Sequence, residues 1–209
     1  MGRREPSEGV SLRMRAARRE DAAAIARIYN EGIEDRLATF ETSPRAEGDI
    51  AEWLEAGVPL VVAEDENGVV AWAAAHPYRP AREAYGGIGE FSVYVARERR
   101  GVGAGRAALS ALIDEAESRG YWKLLSRVFP ENEASLALAR SLGFREVGVY
   151  RRHGRLDGAW RDVVIVERLL GEAETAAGRT RRPATLPKGK RRFPFGLPLP
   201  KLPGGWGDD

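Results

Sequence analysis

The chain has 209 residues, 43% of them apolar, and no cysteine; it can bury a core without disulfides, and it excludes a disulfide scaffold, a thiolate zinc site and a cysteine nucleophile. The net charge of +2 belongs to the tail, since residues 171–209 hold eight Lys/Arg against four Asp/Glu and leave 25 basic and 27 acidic residues in the body, which argues against a nucleic-acid binder. No apolar run approaches the roughly 18 residues of a membrane span and the first residues lack a signal-peptide core, so a cytoplasmic protein without a membrane or nucleic-acid partner is expected.

Residues 1–11 show no periodicity and are expected to be disordered. Leu12–Ala17 alternates weakly, as a first strand would. Asp21–Gly32 reads as a helix, with Ala22, Ile25, Ile28 and Tyr29 on one face. Thr39–Glu41 falls in an irregular piece closed by Ser43-Pro44, and Ala46–Ala56 is a second helix anchored by Ile50, Trp53 and Leu54. Pro59–Ala63 and Val69–Ala75 are apolar runs joined through Asn67-Gly68, a strong hairpin signal. His76–Gly87 is a loop. Phe91, Val93 and Val95 then alternate with Ser92 and Tyr94 in a strand, so that Glu90, Ser92 and Tyr94 share one face.

A glycine-rich segment, Arg100-Gly101-Val102-Gly103-Ala104-Gly105-Arg106, separates this strand from a helix whose Leu109, Leu112, Ile113 and Ala116 share a face. Gly120 stops that helix. Leu124–Phe129 is a buried strand. Asn132 caps a further helix that ends at Gly143, and a strand follows over Arg145–Tyr150. Arg151–Trp160 reads as a polar turn and Asp162–Leu169 as the last strand. Residues 171–209 are basic and rich in Pro and Gly, and are expected to form a disordered tail. The folded part is thus one domain over residues 12–170.

Three kinds of glycine loop compete for the central segment. A P-loop needs Gly-Lys-Ser/Thr, and Gly105 is followed by Arg106-Ala107. A dinucleotide fingerprint should follow its strand at once, and here Ala96–Arg100 intervene, with too little chain afterwards for the remaining strands. The third pattern is Arg-x-x-Gly-x-Gly over Arg100–Gly105. Glycines let the backbone approach a ligand closely, and the helix behind them offers unpaired N–H groups, a site suited to pyrophosphate.

That pattern, together with Asn132-x-x-Ser135 leading into Leu142-Gly143-Phe144, resembles the GCN5-related N-acetyltransferase (GNAT) superfamily over Leu12–Leu170. Gly89-Glu90-Phe91-Ser92-Val93-Tyr94-Val95 and His153-Gly154 through Gly158, Trp160 and Asp162-Val163 look most like its phosphinothricin and arsinothricin N-acetyltransferase branch. The resemblance implies an α/β (α+β) fold with a mixed, mostly antiparallel sheet, helices on both faces and a splay at the central strands. It implies acetyl-CoA as cosubstrate, a homodimer, and transfer to the α-amine of a small amino-acid-like substrate. Val93, Val95, Arg100, Gly101, Val102, Gly103, Ala104, Gly105, Arg106, Asn132 and Ser135 would hold the cofactor.

Within that resemblance Glu90 would be the general base, and a free N–H near Val93 would polarise the thioester carbonyl. Phe40, Arg79, Arg82 and Tyr85 would contact substrate, the guanidiniums gripping its anionic group. Many relatives carry a tyrosine seven residues after the helix asparagine as general acid; here that position is Ala139, which leaves Tyr94 or solvent for the role. His76 and His153 have no partners that argue a metal site, and His153 reads as structural or a pocket neighbour and not the base. Two other functions stay open: acetylation of a protein N-terminus, and a non-catalytic acetyl-CoA-binding module.

Overall fold

The computed structural model describes residues 11–176. Their strands form one seven-stranded sheet in the order β1-β2-β3-β4-β5-β7-β6: β1 (Arg13–Ala16), β2 (Leu60–Asp65), β3 (Gly68–Pro77), β4 (Ile88–Val95), β5 (Lys123–Val128), β6 (Arg145–Leu156) and β7 (Ala159–Leu169). Every neighbouring pair is antiparallel except β4–β5. This is the expected mixed, mostly antiparallel α/β architecture.

One face of the sheet carries α1 (Ala22–Glu34) and α2 (Glu47–Glu55). Ile25, Ile28, Tyr29, Ile50 and Trp53 pack there on Val62, Trp72, Ala74 and Tyr94. The other face carries α3 (Ala104–Ser118) and α4 (Glu133–Ser141). Ala108, Leu109, Leu112 and Ala116 of α3 settle on Ala71, Ala73 and Ala75 of β3, whose lack of bulk lets the helix approach closely. The apolar positions of β4 divide between these two cores, Tyr94 toward α1 and Phe91, Val93 and Val95 toward α3, as a period of two requires.

Buried Asp21 ties the turn ahead of α1 to β1. Its carboxylate accepts two bonds from Arg15 of β1, at 2.6 and 2.9 Å, and one from the Arg18 N–H at 2.7 Å. Burial pushes this carboxyl up, but the Arg15 and Arg18 bonds outweigh burial and hold it below the ordinary range.

Two boundaries differ from expectation. The segment 151–160 is not a polar turn: β6 continues to Leu156, and the reversal is made by Asp157 and Gly158, with φ of 49° and 79°. Asp-Gly is a natural two-residue hairpin turn; a bulge upstream breaks the alternation that would have marked the strand. At the other end, residues 171–176 form a turn and a short helix α5 (Glu172–Ala176), with acidic residues in its first turn. The rest of the assigned tail, and residues 1–10 of the N-terminal segment, lie outside the described residues.

Leu112 is fully buried at the centre of the α3–sheet core. Leu112→Ala should therefore lower the unfolding free energy by about 2–5 kcal/mol in urea titration; a change under about 0.5 kcal/mol would contradict this packing.

Candidate active site

The site begins where the parallel pair β4–β5 stops. Ile88, Gly89 and Glu90 pair with Lys123, Leu124 and Leu125, and no pairing continues beyond them. Past that point the strands part, and β4 residues 91–95 keep only their β3 partners. A cavity of about 880 Å³ opens in the gap, bounded by β4, β5, the N-terminal part of α4, the connection between α1 and α2, and residues 153–155 of β6. Backbone groups released from a ladder inside a cavity need a ligand or water as partner.

Glu90 and Arg127 face each other across the divergence. Arg127 donates through Nε at 2.7 Å, and through Nη2, to the same oxygen, Oε1 of Glu90. Both side chains are partly exposed to the cavity, at 27% and 23%. His153 and Arg155 line the same space. Phe40 forms an apolar wall with Phe129, their rings edge to face at 4.9 Å. The contact with β6 is close: a Cβ on Gly154 would lie 2.7 Å from Phe40 Cε1, so only glycine lets the strand pass there.

The opposite wall is aromatic and polar. Tyr94 stacks on Trp72 with ring centroids at 4.8 Å and meets Tyr29 edge to face at 4.7 Å. Its hydroxyl shares hydrogen bonds with those of Tyr29 and Thr39, and burial pushes the phenol well above its usual value. Beside them Arg45 forks onto Glu41 at 2.7 and 2.5 Å. Asn30 of α1 clamps the Arg45 backbone, donating to its carbonyl at 2.9 Å and accepting from its N–H at 2.7 Å. The α1–α2 connection is thereby held as a rigid rim. On the same side, burial first and Arg45 second push His76 down to about 4, and its ring packs on Trp53 at 4.7 Å.

The glycine segment lies outside the cavity's lining, beyond the end of β4. Gly101 and Gly103 adopt φ of 80° and 90°, values that side chains resist. Gly105 sits so close to Val95 Cγ2 and Leu138 Cδ2 that a Cβ would reach them at 3.1 and 3.5 Å. The first turn of α3 is thus seated directly against the β4 end and the cavity-lining Leu138. Asn132 also lines the cavity; its Oδ1 accepts from the Ser135 N–H at 3.1 Å, and its Nδ2 donates to the Leu37 carbonyl at 3.2 Å.

The structure brings Phe40, Glu90, Val93, Tyr94, Asn132 and Ser135 to one cavity and differs from the expected roles of several others. Arg79, Arg82 and Tyr85 do not line it. Tyr78 N–H donates to Ile88 O at 2.9 Å and prolongs the β3–β4 ladder, and the loop then folds on itself into a turn at Glu83–Tyr85, with Tyr78 and Tyr85 rings at 6.0 Å. Tyr94 is a poor general acid, because burial first, then Tyr29 and Glu41, hold its proton against the opposing bond with Thr39. Arg100 is paired with Asp35 at 2.7 Å and donates to the Val95 carbonyl at 3.3 Å. Arg106 is bound to the Ser141 carbonyl at 3.1 Å. Backbone N–H groups are therefore left as the main donors at the loop. Sequence reasoning missed Arg127 and the Glu41–Arg45 pair. Their strand and loop positions carry no motif, and only the divergence of β4 from β5 gives Arg127 its partner. Among the described residues, no cluster of three or more His, Asp or Glu is placed to hold a metal ion.

Residues 25–144 match the Acetyltransferase (GNAT) family. The chain is 35% identical to the phosphinothricin N-acetyltransferase of Alcaligenes faecalis over 167 residues, covering 78% of this chain and 84% of that one. A GNAT superfamily phosphinothricin acetyltransferase from Sinorhizobium meliloti, solved in complex with acetyl-CoA, superposes with a TM-score of 0.74 at 32% identity, covering 83% of this chain and 94% of that one. A ribosomal-protein-alanine N-acetyltransferase from Brucella melitensis superposes at 0.71 with 37% identity, covering 75% and 99%.

The aromatic wall has a sharp steric test. A Cβ on Gly32 of α1 would lie 2.5 Å from Tyr94 Cε1. Gly32→Ala should destabilise the fold by about 1–3 kcal/mol through overpacking, despite the better helix propensity of alanine. Unchanged or higher stability in chemical denaturation would show that Tyr94 does not rest on α1.

Proposed function

The chain belongs to the acetyltransferase (GNAT) family and is an acetyl-CoA-dependent N-acetyltransferase, and we propose that it acetylates the α-amine of a small amino-acid-like substrate of the phosphinothricin, arsinothricin or methionine-sulfoximine type. The observation that carries this reading is the pairing of opposite charges in one cavity: Glu90 beside Arg127, with Arg155 reaching the same space from β6. A zwitterion with a second anionic group needs a carboxylate for its ammonium and a planar guanidinium for its carboxylate, phosphinate or arsinate. This moves the anion grip from the β3–β4 loop to β5 and β6.

An α-amine with a pKa near 8 is about a tenth deprotonated at pH 7, a cost of roughly 1 kcal/mol. Glu90 meets it as general base, directly or through one water. The cofactor lies along the gap, its pyrophosphate on the backbone of Gly101–Gly105 and its pantetheine arm past Asn132 and Ser135. A β4 N–H near Val93, beyond the last β5 pair, polarises the thioester carbonyl. The thiol, with a pKa near 8.5, leaves without a protein acid. Transfer is direct in a ternary complex, since the chain has no cysteine to carry an acyl group.

The domain over residues 12–170 carries this activity as a cytoplasmic homodimer. The pairing surface is β6, an edge strand with Val147, Val149 and Tyr150 half exposed, together with exposed Trp160 of β7; such an edge ordinarily needs cover. A second reading, acetylation of a protein N-terminus, is favoured by the name of the Brucella melitensis neighbour.

Glu90→Gln tests the chemistry. With acetyl-CoA and phosphinothricin, thiol release should fall about 10²–10⁴-fold in kcat while acetyl-CoA affinity is retained. Wild-type turnover in the variant would remove Glu90 from the mechanism.

A further inference from the structure

The β6–β7 hairpin contains a distortion that the reading above leaves unused. Tyr150 pairs with Val163 and Gly154 with Arg161, so three residues of β6, Arg151, Arg152 and His153, stand opposite the single residue Asp162. Arg152 adopts φ of 51°, a conformation that costs a non-glycine residue free energy. Its N–H is held by Asp162 Oδ1 at 2.7 Å. Bulges re-aim side chains and gather beside functional sites. Here the side chain re-aimed is His153. Its ring lines the cavity between Tyr150, at 5.2 Å, and Phe40, at 6.5 Å.

We propose that His153 is the proton exit of the active site, taking the amine's proton from Glu90 and releasing it to solvent, and that Asp162 is the residue that positions it by pinning the bulge. This deepens, and rests on, the role given to Glu90. When the substrate ammonium loses its proton, the N–H bond breaks, its electron pair stays on nitrogen and attacks the thioester, and the proton bonds to Glu90. A neutral Glu90 gives up its ion pair with Arg127, whose nearby positive charge favours return of the carboxylate and so rapid loss of that proton. The new O–H bond then breaks as the proton passes through a cavity water to an imidazole nitrogen of His153, and the imidazolium hands it to water at the cavity mouth. Each side chain returns to its starting charge and one proton leaves per amine acetylated.

The surroundings suit a carrier that does not keep its load. The charged side chains sharing the cavity with His153 are Glu41, Arg45 and Asp49 from the α1–α2 region, Glu90 from β4, Arg127 from β5 and Arg155 from β6. Burial first, and the Arg127 charge second, hold the imidazole below its ordinary value, with Glu90 opposing them. The ring is neutral near pH 7 and gives up a proton readily.

The test combines nuclear magnetic resonance with kinetics. The chain has two histidines, so His153→Ala assigns both imidazole signals. In the wild type His153 should titrate below 6.5; in Glu90→Gln it should move lower still, because the opposing charge is gone. In Asp162→Ala it should move up toward the ordinary value as the bulge relaxes. In turnover, His153→Ala and Asp162→Ala should each lower kcat by about 10-fold to 10²-fold with little change in KM. Tens-of-millimolar imidazole should restore His153→Ala, and Asp162→Asn, which keeps an acceptor oxygen, should stay close to wild type. Unchanged kcat in His153→Ala, or no rescue by imidazole, would overturn the relay while leaving Glu90 and the substrate reading intact. Titration of His153 at its ordinary value in both wild type and Asp162→Ala would overturn the positioning. A wild type idle on every amine would instead overturn the substrate reading, and the relay with it.

Discussion

The site depends on one constraint: two parallel strands that begin as hydrogen-bonded neighbours and then separate. β4 and β5 share three residue pairs and no more. Each strand is held on its outer side, β4 by β3 and β5 by β7, so neither can close the gap. A sheet interior with unpaired backbone is costly unless something fills it. An extended cofactor that brings its own hydrogen-bonding groups is a physically natural filler, and acetyl-CoA is the cosubstrate of this family.

The other features follow from keeping that gap open and furnished. α3 packs closely on the alanines of β3 and delivers its first turn, with Gly105 against Val95, to the end of β4. Tyr94, Trp72 and Tyr29 stiffen the sheet face behind the gap. Asn30 fixes the rim that carries Phe40 and the Glu41–Arg45 fork. The β6 bulge, held by Asp162, brings a third strand's side chains over the mouth. Rigid elements thus place the charged groups, which is what a site needs when its geometry must be right before substrate arrives.

Much of this was legible in the sequence because it is encoded locally. The glycine loop, the Asn132 cap, the Asn67-Gly68 hairpin and the apolar face of α3 each need only a few consecutive residues, and their positions agree with the structure. What was not legible depends on pairing across distance. Arg127 is one arginine among many until β5 carries it two residues past Leu125, the last partner of β4, where its side chain reaches Glu90. His153 lies in a stretch whose alternation is broken by the bulge, which disguised a strand as a turn. Arg79 and Arg82 show the converse: they are near Glu90 in sequence, but the β3–β4 ladder runs to Pro77 and Gly89, and neither arginine is among the residues lining the cavity.

The most direct measurement is acetyl-CoA-dependent thiol release by the wild-type protein against phosphinothricin, methionine sulfoximine, arsinothricin, glutamate and a peptide with a free N-terminus. A cavity furnished with a carboxylate beside guanidiniums predicts saturable turnover on at least one of the doubly functional amino acids, and the highest kcat/KM there. Turnover confined to the peptide would contradict the account and make the protein's own substrate another protein.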